Sequence, residues 1–70
     1  MNGQGHVIGY IIYDNGTRHE ACHLVGGDRS VDYQLNRQTC ETSTQRQFNF
    51  ELRNYPGYGP KPVRYTIEER

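Results

Sequence analysis

Side chains of catalytic type cluster at one place, His19, Glu20 and His23. On a strand, His19 and His23 fall on the same face roughly 13 Å apart by strand rise, too far for one metal. Their i, i+4 spacing suits zinc only on a helix, where one turn brings the rings together, and no helix is expected there. The simpler reading is a set of exposed strand residues. The functional alternative is a weak metal site or a pH-sensitive contact. The acid pairs Asp28/Asp32 and Glu68/Glu69 fall in a turn and near the end of the chain, and they read as solvated charge. Gly26-Gly27-Asp28 is too short for a phosphate loop and reads as a plain turn. Asn15-Gly16-Thr17 has the form of a glycosylation sequon at an accessible turn.

The chain has two cysteines, Cys22 and Cys40. They form no CxxC or other metal spacing, so a disulfide is expected. A bridge over a loop of this size stabilises by roughly 3 kcal/mol through lost chain entropy. It implies an oxidising compartment, and a secreted protein is therefore expected. Pairing would also remove Cys22 as a nucleophile, since a thiolate would be needed. No catalytic group, metal or cofactor is assigned, and the chain is not expected to be an enzyme.

Composition limits the partners. The 70 residues carry eight basic and eight acidic side chains, for zero formal charge. The signs interleave, so the basic stripe of a nucleic-acid footprint is missing from the pattern, and no nucleic-acid partner is expected. No run approaches the ~20 apolar residues of a membrane span, and no membrane partner is expected. Only 33% of residues are hydrophobic and the mean hydropathy is -0.98. Six Tyr and two Phe nevertheless argue for a folded chain with a thin, aromatic core. A single domain over residues 1–70 is expected, with 1–5 flexible. That opening is polar, so a secreted chain would be the mature form behind an added Met.

Residues 7–14 form an apolar run that ends at Asn15-Gly16, the strongest short hairpin signal, in which both turn residues adopt positive φ. Thr17 to Val25 returns as a second strand. Val31, Tyr33 and Leu35 alternate with polar residues, as do Phe48, Phe50 and Leu52, and again Val63, Tyr65 and Ile67. Each is the period-2 pattern of a half-buried strand. No helical periodicity stands out. The expectation is an all-β fold, a small antiparallel β-sandwich or barrel of about five to six short strands with one disulfide. Its core would hold Val7 or Ile8, Ile11, Tyr13, Leu24, Val31, Tyr33, Leu35, Phe48, Phe50, Leu52, Val63, Tyr65 and Ile67. Residues 36–46 would be a polar connection anchored by Cys40.

Residues 54–62 hold all three prolines and two tyrosines. Tyr55 and Tyr58 are candidate contact residues, because a ring on a stiff loop loses little entropy on binding. The competing expectation is that the rings fold back over the edge of the core. The prolines would guard the start of the last strand but not its body. Val63, Arg64 and Tyr65, with the residues to Ile67, could then pair with a strand of another protein. A monomer binding another protein, with a host protein as one candidate, is expected.

Two sets of residues resemble known families. Tyr13-Asp14-Asn15-Gly16, Glu20-Ala21-Cys22-His23, Asp28-Arg29-Ser30-Val31 and Cys40 resemble stretches of MAX-type effectors of plant-pathogenic fungi. That resemblance implies a secreted six-stranded β-sandwich with one disulfide, and a host-protein partner bound at a strand edge. The paired cysteines of that family usually lie further apart. His23-Leu24-Val25-Gly26, Leu35-Asn36-Arg37, Tyr55-Pro56-Gly57 and Val63-Arg64-Tyr65-Thr66-Ile67 are similar in order to segments of non-specific DNA/RNA endonuclease toxin domains. That resemblance implies His23 as general base. Here Ala21-Cys22 replaces the acidic-Gly step before the histidine. The helix carrying the metal-binding Asn is expected to be missing, so a degenerate domain is the most this similarity implies.

Overall fold

The computed structural model of the protein describes residues 5–26 and 31–70. The chain runs β1(His6–Tyr13), β2(Arg18–Val25), α1(Val31–Arg53) and β3(Pro62–Glu69). The strands form an antiparallel sheet in the order β2-β1-β3. β1 is the most apolar segment and occupies the centre, where Val7, Ile8 and Ile11 are buried. Its ladders extend past the strand ends, with reciprocal bonds between His6 and Arg70 at 2.7 and 2.8 Å.

α1 lies across one face and touches all three strands. Its inward positions are Asn36, Cys40, Thr44, Phe48 and Glu51, a regular helical stripe. The stripe is small at its middle, which lets the helix sit close to the sheet. Gly9 lies directly beneath Thr44, where an added Cβ would fall 2.9 Å from the Thr44 Cβ and closer still to its hydroxyl. Phe48 meets Tyr65 with ring centroids 5.6 Å apart. The Cys22–Cys40 disulfide ties β2 to α1 across this interface, with Cα atoms 5.6 Å apart. Cys40 and Val7 are fully buried, with Cys22, Leu24 and Ile67 packed around them. The expected disulfide is therefore present, and it bridges the two layers.

The five-to-six-stranded all-β sandwich or barrel is overturned. The described residues form three strands and a helix, which is also not the six-stranded sandwich that the MAX-type resemblance implies. Two expected strands, around Val31–Leu35 and Phe48–Leu52, are the two ends of α1. The 36–46 connection is its middle. The physical reason lies in two features of the segment. It contains no Gly or Pro to break a helix. Its inward stripe is mostly polar, so no apolar 3.6-residue period exists to be seen. The period-2 alternation there is incidental. Leu35, Phe50 and Leu52 are exposed at 58%, 66% and 39%, and Val63 at 51%, so none of the four belongs to the core. The side chains of Val31 and Tyr33 lie outside the described residues, as do Gly27 and Asp28 of the expected turn.

The hairpin at Asn15-Gly16 forms, but through a different turn. Gly16 has φ 87°, while among the described residues no residue other than glycine has positive φ. Gly16 N–H donates to the Tyr13 carbonyl at 3.0 Å, and Tyr13 N–H to the Thr17 carbonyl at 2.9 Å. This is a three-residue loop closed by a left-handed glycine, not a two-residue turn with both residues left-handed. Asn15 Oδ1 instead accepts from Thr17 N–H at 3.1 Å and Thr17 Oγ1 at 2.6 Å.

Candidate functional site

The sheet face away from α1 carries most of the clustered polar chemistry. A bulge creates it. Gly9 pairs with Cys22, but Tyr10 pairs with Glu20, so Ala21 is an extra residue in β2. The bulge shifts the alternation by one. Cys22 faces α1, while His23 and Glu20 both face away from it. His19, paired with Ile11, is turned to the helix side. The expected sharing of a face by His19 and His23 is thus overturned. Uninterrupted alternation cannot anticipate a bulge.

His23 instead meets His6, a residue the sequence reading did not single out. His6 Nδ1 lies 3.1 Å from His23 Nε2, with ring planes tilted by 48°. The other nitrogen of His23, Nδ1, is 3.6 Å from Glu20 Oε1. Glu20, His23 and His6 form a row along the open face. No signal in local sequence spacing links positions 6 and 23. Only the pairing of Ile8 with His23 and His6 with Val25 brings them together. Among the described residues, no group of three or more His, Cys, Asp or Glu converges on one point.

Further along the same face, Glu68 receives two guanidinium groups. Arg18 Nη1 lies 2.9 Å from one carboxylate oxygen and Arg70 Nη2 3.2 Å from the other. The Arg18 guanidinium also covers the Tyr10 ring, 4.3 Å from its centroid. Arg70 reaches the Tyr10 hydroxyl at 3.5 Å. Ile8 and Tyr10 are buried at 3% and 8% exposure although no helix covers them. The stems of the long charged side chains and the histidine rings shield them, as amphipathic side chains do.

On the helix side, Tyr13 O–H donates to Glu51 Oε1 at 2.5 Å, and Gln47 Nε2 donates to Glu51 Oε2 at 2.8 Å. Burial, then the hydrogen bond and the charge of Glu51, push the Tyr13 hydroxyl up to about 12. It stays protonated and acts as a donor, not as a base. Tyr13, Thr17, His19, Glu51 and Pro60 border a shallow, open concavity of about 500 Å³.

The candidate contact residues separate. Tyr55 is half-buried and turned into its own loop, its O–H donating to the Gly59 carbonyl at 2.8 Å. Lys61 Nζ sits 5.8 Å from its ring centroid. Tyr58 is 76% exposed. On β3, Tyr65 points to α1 and meets Phe48 in a tilted ring contact, and Arg64 is exposed opposite Ile12 on the open face. Val63 is the extra residue where Ile12 pairs with Arg64 and Tyr13 with Pro62.

The endonuclease similarity is corrected on one point and weakened on another. A helix does follow β2, and it carries Asn36. Asn36 is half-buried on the α1 stripe, its amide close to Gly26. His23 opens on the opposite face of the sheet. A general base and a metal-binding Asn must converge on one substrate, and here the sheet separates them. No family model, curated protein or solved structure matches this chain.

Proposed function

We propose that the chain is a small secreted interaction domain that acts without catalysis and takes an extended segment of another protein along β3. The observation that carries this reading is the sheet order, in which, among the described residues, β3 has one neighbour, β1. An edge strand exposes unpaired N–H and C=O groups that can accept another strand. β2 is also an edge, but the Ala21 bulge interrupts it. β3 pairs regularly from Arg64 to Glu69, with its bulge at Val63 set before that stretch. The regular edge begins one residue later than the expected 63–67. The disulfide supports an oxidising compartment.

The reciprocal bonds between His6 and Arg70 fix the direction of every β3 amide. Arg64, Thr66 and Glu68 donate towards β1. Tyr65 and Ile67 direct their N–H groups off the edge. Exposed Tyr58 at the preceding loop would add a side-chain contact. A random peptide library selected on the immobilised, oxidised protein tests the proposal. Selected peptides should be extended and should protect the Tyr65 and Ile67 amides from exchange. Binders that leave both amides unprotected would overturn it.

The β1-β2-α1 order is the one observation that favours the second reading, a degenerate endonuclease-type domain. Incubation with plasmid and RNA in Mg²⁺ or Mn²⁺ separates the two. No cleavage is expected, and cleavage lost in His23→Ala would favour the second.

A further inference from the structure

The row Glu20, His23 and His6 lies on the open face, away from the edge proposed for strand pairing. We propose that His6 and His23 form a two-imidazole site for a first-row transition metal such as Zn²⁺, with Glu20 as a positioning residue. Two imidazole nitrogens on one tetrahedral zinc, each ~2.0–2.1 Å from the metal, stand roughly 3.3 Å apart. His6 Nδ1 and His23 Nε2 are 3.1 Å apart, so a small outward movement opens the required bite. Imidazole suits zinc, copper and nickel over the hard cations, which prefer oxygen.

The third group supports the assignment. If His23 ligates through Nε2, its Nδ1 carries the proton and faces Glu20 Oε1 at 3.6 Å. A ligating histidine usually donates its other N–H to a carboxylate, a backbone carbonyl or water, which fixes the tautomer and strengthens the ligand. The Ala21 bulge is what puts Glu20 and His23 on one face, and bulges recur where a strand must re-aim a side chain. His23 is exposed and His6 partly so, which leaves a path for the ion. The remaining coordination positions are open to water or to a group from a partner. With two protein ligands the ion is held less tightly than in a closed structural site.

His19 provides an internal control, because the third histidine of the chain faces the other side of the sheet. The oxidised protein is titrated with Zn²⁺ alone, by calorimetry and by NMR of the imidazole resonances. The proposal expects saturable binding that shifts the rings of His6 and His23 and spares that of His19. His6→Gln and His23→Gln should each weaken binding at least ~10-fold, and Glu20→Gln roughly 10-fold, as second-shell losses do. His19→Gln should leave it unchanged. The wild-type ring shifts need no variant, so the proposal stays testable if one fails to fold. No saturable binding at millimolar Zn²⁺, or equal loss in His19→Gln, overturns it.

Discussion

The two faces of the sheet are built from alternate residues of the same strands and are covered by different means. The face under α1 is closed by close approach, with Val7, Ile11, Cys40 and Thr44 fully buried. The open face buries Ile8 and Tyr10 almost as well, beneath arginine, glutamate and histidine side chains that keep their charged ends in water. One face is held by packing geometry and a covalent bond. The other is held by long side chains that can rearrange. Loss of packing in a closed interface is expensive, while half-exposed ion pairs contribute little. Stability should therefore depend on the first face, and contacts with other molecules on the second and on the β3 edge.

The largest effect should come from the bond that joins the layers. Reduction, or Cys22→Ala with Cys40→Ala, should lower stability by about 2–5 kcal/mol in urea unfolding. An unchanged midpoint would mean that α1 is held without the bridge. Gly9→Ala should come next, by about 1–3 kcal/mol, because its new methyl has no room beneath Thr44. Thermal unfolding checks this, and a neutral result would mean that the helix does not lie so close. Glu68→Gln on the open face should cost under about 1 kcal/mol, since both of its arginine partners are about half-exposed. A loss as large as that of Gly9→Ala would erase the distinction between the faces.

The last effect is a pH dependence at the groove, confined to alkali. Tyr13 is raised to about 12 in the folded chain, above its ordinary value of 10.0. The folded state therefore keeps its proton where the unfolded state loses it. The resulting stability is fully present below pH ~10 and declines as pH rises towards ~12. Tyr13→Phe should remove that decline. A variant that loses stability over the same range as the wild type would assign the effect to other groups.

The strands and the disulfide were legible because each has a local signal. The apolar run at β1 ends in a glycine turn, β3 alternates in period 2, and two cysteines have no competing partners. The helix was not legible, for a reason specific to its stripe. Asn36, Cys40, Thr44, Phe48 and Glu51 face inward, and of these Phe48 alone is a strong apolar marker. Phe50 and Leu52, which are also strong markers, face out. The close approach over Gly9 needs small residues on the helix, and that same need removes the apolar period by which a helix is recognised. The site was lost to the bulge at Ala21, which reverses the faces of the residues before it. On an uninterrupted strand His19 and His23 would share a face, and the extra residue puts them on opposite ones. The partnership of His23 with His6 depends on register across a hairpin, which neither residue's neighbours encode.

The central functional claim is that β3 presents an open edge, and amide exchange of the free, oxidised protein followed by NMR tests it most directly. Slow exchange is predicted at Arg64, Thr66 and Glu68, whose N–H groups pair with β1, alongside fast exchange at Tyr65 and Ile67. Slow exchange at every amide from Arg64 to Glu68 in the monomer would show the edge already covered and would contradict the account.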